Sequence, residues 1–294
     1  MARVVLIVNP FASGVTRDGV ERVETALRER CDVETHLTHA RGHAQELAAA
    51  AIGQADAVIV FAGDGTYNEA INGAGGQVPF GFLPGGGASI FTRALGLPRD
   101  PAAAAAQVAL ALAEGRTEPV GLGRVNGRRF CFAAGVGLNA EVIRRVEARG
   151  RSEDGRRAGN AFVAATAAGV LLRARLRVEP ELELVGRGRA AFVLAGLGRP
   201  YTYAGPIPIR LSAGGAGLDF VAPERVTPSS APELVFRLLR GTLAGAPGVI
   251  AGSGVDAFEV RCDRPLPLQA DGEDLGDVTE ALFEAEQDAL TVLV

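Results

Sequence analysis

Apolar and polar positions alternate along the first third of the chain in a repeated order of strand, loop and helix. Residues 4–8 are an uninterrupted β-branched and aliphatic run. A turn at 9–14 follows, and then a stretch at 18–30 in which Val20, Val23, Ala26 and Leu27 recur at helical spacing. The order repeats with strands at 33–37, 57–61 and 78–82, helices at 43–52, 67–72 and 90–95, and an alanine-rich helix at 102–114. Buried apolar strands separated by helices predict a parallel α/β sheet, with ligands beyond the carboxyl ends of its strands. From about residue 121 the pattern changes to short strands at 120–124, 128–133, 176–178, 182–185, 191–195 and 218–222, set apart by Gly, Pro and Asn-Gly turns. Asn126-Gly127 is a hairpin signal. Helices at 140–149, 161–172 and 232–243 interrupt this half, and a final strand at 290–294 can pair with either part. The expected architecture is an α/β N-terminal domain over 1–120 with a parallel sheet, followed by a β-rich domain over 121–294 whose last strand can return to the first.

Composition narrows the chemistry. With 294 residues and 48% hydrophobic content, the chain can bury sizeable cores, which excludes disorder and fibrous folds. Its 30 basic and 34 acidic residues leave a net charge of −4, so it lacks the positive field that non-specific nucleic-acid binding needs. All 30 basic residues are Arg, because no Lys occurs, and this excludes P-loop, Schiff-base and kinase-type lysine mechanisms. Phosphate would have to be held by backbone N–H groups, Arg or a metal. Cys31, Cys131 and Cys262 are odd in number and far apart, which fits a reducing cytosol and neither a disulfide framework nor a zinc site. The N-terminal apolar run is too short for a signal peptide, and the apolar stretches at 102–113 and 161–172 fall short of the ~20 residues that span a bilayer. A soluble protein that can touch a membrane is expected.

Four loops carry candidate chemistry. Gly63-Asp64-Gly65-Thr66 follows an apolar strand and opens a helix. Its glycines let backbone approach a phosphate, and Asp64 can reach a divalent metal or an attacking hydroxyl. The plain alternative is a strand–helix turn with Asp64 or Thr66 as N-cap. Gly85, Gly86 and Gly87, with Ser89, precede the next helix, which carries Arg93; these glycines imply either a special backbone path or close ligand approach, the plain alternative being a flexible linker. Asn9-Pro10-Phe11-Ala12-Ser13-Gly14 closes the first strand, and Asp271-Gly272-Glu273 places two carboxylates two residues apart. Weaker signals read more plainly. His36, His39 and His43 fit a solvated loop better than a metal site. Arg144, Arg145, Arg149, Arg151, Arg156 and Arg157 precede the apolar helix at 161–172 and suit anionic headgroups or a solvated face equally. Tyr201 and Tyr203 read as packing residues.

The ordered set is more specific than any member. Asn9-Pro-x-x-Ser13-Gly14, Gly63-Asp64-Gly65-Thr66 with Asn68-Glu69, Leu83-Pro84-Gly85-Gly86 leading to Phe91 and Arg93, Gly135-x-Gly137, Gly217-Leu218-Asp219 and Asp271-Gly272-Glu273 run in one order over nearly the whole chain. In this the sequence resembles the diacylglycerol kinase catalytic-domain family of lipid kinases, which includes bacterial diacylglycerol kinases, sphingosine kinases and ceramide kinases. The resemblance implies ATP-dependent transfer of a γ-phosphoryl group, assisted by Mg²⁺, to a lipid hydroxyl in a cleft between a nucleotide-binding α/β domain and a β-sandwich domain. It implies that Gly63, Asp64, Gly65 and Thr66 meet phosphate and metal. Asn9, Ser13, Gly14, Gly85, Gly86, Gly87, Ser89 and Arg93, with Thr38 from a matching loop, would line the nucleotide. Asp219 would serve a metal, and Asp271 and Glu273 would act as general base or as partners of the metal network. The implied partner is a lipid substrate at a membrane surface, with no nucleic acid and with homodimerisation left open; the implied location is cytoplasmic, peripheral at the inner membrane face. Three positions depart from the family pattern: Ala62 replaces a Gly, Ser89 stands where an Asn is common, and Asn139 where an Asp is common. Ser89 offers less hydrogen bonding than the amide it replaces. The alternatives are a weak or inactive nucleotide- or lipid-binding homologue and a kinase of a soluble acceptor such as NAD.

Overall fold

The computed structural model describes residues 1–148, 160–173, 175, 177–212 and 215–294. These form two compact units, one of Met1–Val120 together with Asp288–Val294, the other of the described residues from Gly121 to Gln287.

In the first unit the elements run β1 (Ala2–Val8), α1 (Arg17–Arg28), β2 (Cys31–Leu37), α2 (His43–Ala51), β3 (Ala57–Ala62), α3 (Asp64–Ala74), β4 (Phe80–Pro84), α4 (Ile90–Ala94) and α5 (Pro101–Glu114). The sheet order is β2-β1-β3-β4, all parallel. The chain's last residues join it, Val292 pairing in parallel with Phe80. Val4, Leu6 and Val8 are fully buried and pack with Val23 and Leu27 of α1, Ile59 and Phe61 of β3, and Ala104, Ala105 and Val108 of α5. Helices therefore cover the sheet, which is why its strands read as continuous apolar runs. The helix starts are set locally. The Thr16 hydroxyl accepts from the Gly19 N–H at 3.0 Å, and Asp100 accepts from Ala103 at 2.9 Å ahead of Pro101. α3 begins at Asp64, three residues before the periodic stretch, and its N-cap is Gly63 rather than Asp64 or Thr66.

The second unit is built from antiparallel strands: β5 (Thr117–Val125), which leads out of the first unit, β6 (Arg128–Phe130), β7 (Ala133–Val136), β8 (Leu182–Leu184), β9 (Gly188–Ala190), β10 (Val193–Gly196), β11 (Thr202–Ala204), β12 (Ile207–Ile209), β13 (Leu218–Pro223), β14 (Val249–Val255), β15 (Ala257–Ala270) and β16 (Glu273–Leu293), whose tail lies in the first unit. Its helices are α6 (Leu138–Ala148), α7 (Asn160–Arg173) and α8 (Ala231–Leu239). The strands run in the order β14-β13-β10-β7-β15-β16, with the β8–β9 hairpin on β15 and β11–β12 as a separate hairpin. Phe130, Phe220, Phe258 and Phe283 centre the core.

Here the structure corrects several expectations. The strand at 128–133 is two strands, because at Cys131 and Phe132 the backbone amides turn to a side chain, Asp271, instead of a ladder. Of the expected strand over 176–178, Leu176 lies outside the described residues and Val178 makes an isolated bridge to Val226. The strand expected at 290–294 is the end of a much longer β16, and β14 and β15 are unexpected; Pro265 and Pro267 sit where β15 shifts register against β16. Of the basic cluster, Arg149, Arg151, Arg156 and Arg157 lie outside the described residues. Arg144 pairs with Asp274 and Asp277, and Arg145 with Glu141.

Candidate functional site

With β1 between β2 and β3, the chain leaves β1 in one direction and later returns on its other side. This is a topological switch point, and in open α/β sheets ligands bind at the carboxyl ends of the strands beside such a point. The N-terminal candidates fall on the loops that start there and on the helices α3 and α4 that follow them. Asn9, Ser13 and Gly14 follow β1, Thr38 follows β2, Gly63 follows β3, and Gly85, Gly86, Gly87 and Ser89 follow β4.

The loops lock together through backbone. Gly14 donates to the Gly85 carbonyl at 2.8 Å, and Gly85 donates to the Ala62 carbonyl at 2.7 Å. A Cβ on Gly86 would lie 2.8 Å from Gly63 Cα, and one on Gly14 3.0 Å from the Gly85 oxygen. The glycines are thus required by contact between the loops as well as by any ligand. Among the described residues, the N–H groups of Gly86 and Gly87 donate no backbone hydrogen bond within the chain. The Asn9 side chain bridges two loops, its Nδ2 donating to Thr66 Oγ1 at 2.8 Å while its Oδ1 accepts from Phe11 N–H at 3.0 Å. Thr38 is buried and donates its N–H to the Val8 carbonyl at 2.8 Å.

Asp64 stands in the first turn of α3 yet caps α4. Its Oδ2 accepts from Ile90 N–H at 3.0 Å and its Oδ1 from Phe91 N–H at 2.9 Å. Ser89, in the left-handed region at φ 45°, turns the chain into that position, and its hydroxyl donates to the Gly86 carbonyl at 2.8 Å. Ser89 therefore works on the loop itself. Arg93 lies in the last turn of α4, half-buried. Behind the loops the Tyr67 hydroxyl lies 2.8 Å from the Ala62 carbonyl and 2.6 Å from that of Leu83, tying the ends of β3 and β4. Complete burial, reinforced by the charge of Asp64, pushes this phenol well above its usual range. Tyr67 is a positioning residue that sequence reasoning missed, since buried aromatics on a helix carry no distinguishing signal.

The remaining candidates belong to the second unit. Asp271 is 2% exposed and begins the β15–β16 turn in the left-handed region at φ 48°. Its carboxylate accepts from the N–H groups of Cys131 at 2.6 Å, Phe132 at 3.0 Å and Ala133 at 3.1 Å. Glu273, also buried, accepts from Arg128 Nη2 at 3.1 Å. Asp219 Oδ1 accepts from Ser253 Oγ at 2.6 Å and Gly254 N–H at 3.2 Å. Asn139 reaches the hydroxyl of Tyr201 at 3.3 Å, as does Gln269 Nε2. Burial pushes that phenol up to about 12. Tyr201 and Gln269 thus sit beside the Gly-x-Gly segment, where a Cβ on Gly135 would lie 2.2 Å from Asn139 Nδ2. Among the described residues, no three His, Cys, Asp or Glu side chains gather as a metal cage. The rings of His39 and His43 lie against each other at 3.7 Å. No described helix is long and apolar enough to cross a membrane.

Residues 3–125 match the diacylglycerol kinase catalytic domain. That segment, less than half of the chain, is what is similar to the diacylglycerol kinase catalytic domain. A diacylglycerol kinase of Bacillus subtilis (strain 168) is 36% identical over 115 residues, 38% of this chain and 37% of that protein. The match thus spans little more than a third of this curated relative. Among solved structures, a diacylglycerol kinase from Bacillus anthracis str. Sterne superposes with TM-score 0.71 at 20% identity, covering 99% of this chain and 96% of that one. An NAD kinase from Archaeoglobus fulgidus, solved in complex with ATP, superposes with TM-score 0.55 at 14% identity, covering 99% and 93%. At these identities the two structures establish the fold, an α/β unit with parallel strands and a β-rich unit.

Proposed function

We propose that the chain is an ATP-dependent lipid kinase, transferring the γ-phosphoryl group of ATP to the hydroxyl of a diacylglycerol-like or sphingoid lipid. The observation that carries this reading is the interlock of the Gly14, Gly63 and Gly86 loops at the switch point, inside the segment that matches the family. The loops leave the Gly86 and Gly87 amides to meet phosphate oxygens, and the start of α3 adds partial positive charge. Phosphoryl transfer needs little covalent chemistry from a protein. The lipid hydroxyl gives up its proton to a carboxylate acting as general base, its oxygen bonds to the γ-phosphorus, and the bond to the bridging oxygen breaks as ADP leaves with the electron pair. This chain has no lysine to neutralise the phosphates, so Arg93 and backbone amides would hold them. The acidic residues fit a Mg²⁺ ion carried mainly by the nucleotide, with one or two carboxylates such as Asp64 or Asp219, rather than an all-protein cage. A bound Mg²⁺ supplies charge neutralisation. On this reading the protein works in the cytoplasm, peripheral at the inner membrane face, on a lipid partner.

The test is phosphate transfer from labelled ATP to diacylglycerol and sphingosine in mixed micelles, with NAD as a soluble acceptor in parallel. The expected result is lipid phosphorylation by the wild type and a loss of at least about 100-fold in Asp64→Asn. Transfer to NAD alone would favour the soluble-acceptor reading, which the NAD kinase-like fold supports. Nucleotide binding without transfer to any acceptor would leave a binding protein.

A further inference from the structure

α8 is apolar on two sides. Leu234 and Leu238 pack against a small core of Leu194, Leu211, Val221 and Leu243. Pro232, Val235, Phe236 and Leu239 fall at i, i+3, i+4 and i+7, which aligns them in one stripe. In that stripe Val235 is 48% exposed, Phe236 57% and Leu239 50%. Burial in this unit's core explains the first pair and not the stripe. Within α8 and its C-cap the charged residues are Glu233, Arg237 and Arg240, one net positive charge at the end of the stripe. Glu233 is held by Arg237 at 2.9 Å, and the Arg240 guanidinium lies 5.1 Å above the centre of the Phe236 ring.

We propose that α8 docks the chain on the surface of an anionic phospholipid bilayer, lying in the interface with Val235, Phe236 and Leu239 among the upper acyl segments and Arg240 and Arg237 at the headgroups. Two other occupants fit less well. A second copy of this chain would gain on the order of 300 Å² per partner from the stripe, against the ~800 Å² per partner of a stable interface. A spanning segment needs ~20 residues, and α8 has 9. Exposed apolar residues bordered by arginine are what an interfacial helix requires. The docking deepens the lipid-kinase reading and rests on it for its purpose, since such a substrate is met at a bilayer, but the binding itself is independent of catalysis.

The experiment sediments the full chain, without nucleotide, with vesicles of phosphatidylcholine alone or mixed equally with phosphatidylglycerol. Wild type should co-sediment with the anionic vesicles. Val235→Glu/Phe236→Glu/Leu239→Glu should lose this by roughly tenfold or more, and Arg240→Gln by about fivefold. Both variants should melt like wild type and keep the wild-type rate in detergent micelles. Absence of wild-type binding, or undiminished binding by the triple variant, overturns the proposal. So does a dimer of the wild type that the triple variant dissolves in place of any vesicle effect. Failure of the kinase reading would appear instead as inactivity in micelles with vesicle binding intact.

Discussion

The two aspartates most exposed to scrutiny, Asp64 and Asp271, do architectural work whatever else they do. Asp64 receives two amides of α4, and Asp271 receives three from the break between β6 and β7. Replacing either by Asn presents an NH₂ group to an N–H donor and strands part of the set, which costs about 1–3 kcal/mol for each buried group left unsatisfied. Asp64→Asn and Asp271→Asn should therefore each lower the midpoint of urea unfolding; a midpoint equal to that of wild type in either variant would refute the architectural role of that carboxylate. The glycines allow a cleaner steric contrast. Gly86→Ala meets Gly63 backbone at 2.8 Å and should cost about 1–3 kcal/mol together with most of the nucleotide affinity. Gly87→Ala meets Ser13 Oγ at an ordinary 3.5 Å and should leave the fold intact. Thermal melts of the two variants with and without ATP separate the cases. These positions were legible as motifs, yet their partnerships were not. The amides that Asp64 accepts lie 26 and 27 residues away, and those of Asp271 138 to 140. Such contacts are set by tertiary folding and leave no local pattern.

At the scale of elements, legibility follows burial. β3 is buried at every position and stood out as an unbroken apolar run. β16 carries seven acidic residues and the neighbouring β15 two prolines, so neither presents an unbroken apolar run. Antiparallel strands tolerate both, because one face meets water and proline is accepted where the ladder shifts register. β15 and β16 therefore needed their partners to be seen. The α2–α3 contact is another feature hidden from sequence. Gly73 in α3 approaches α2 so closely that a Cβ would lie 2.2 Å from the Gln45 carbonyl oxygen. An alanine is ordinarily the better helix former, by about 1 kcal/mol. Gly73→Ala should nonetheless destabilise the protein by about 1–3 kcal/mol, since both atoms in the clash belong to helix frameworks that must move apart. A melting temperature equal to or above wild type would show that the helices separate freely.

At the scale of the whole chain, the absence of lysine has a consequence for stability. All 30 basic side chains are arginines, which keep their charge above pH 12, so alkaline loss of positive charge does not unfold this protein as it does lysine-rich ones. The side-chain types whose ordinary ionisation falls between pH 8 and 12 are then cysteine and tyrosine, of which the chain has three each. Burial pushes the Cys262 thiol up to about 11 and raises Cys31; burial likewise pushes Tyr201 up to about 12 and Tyr67 well above its usual range. In each case the folded state holds its proton longer than the unfolded chain. The associated stability is therefore complete below the unfolded values, near 9 for thiols and 10 for phenols, and is lost as pH rises toward the folded ones. Stability should be nearly flat from pH 7 to 8.5 and then fall, by up to about 1.4 kcal/mol per pH unit for each such group. Cys262→Ser removes one group that titrates between pH 9 and 11 and should make the curve shallower across that window. Urea unfolding at half-unit steps of pH measures both slopes. A wild-type curve that stays flat to pH 11, or a Cys262→Ser curve parallel to it, would mean that the half-buried thiol ionises as readily in the folded protein as in the unfolded one.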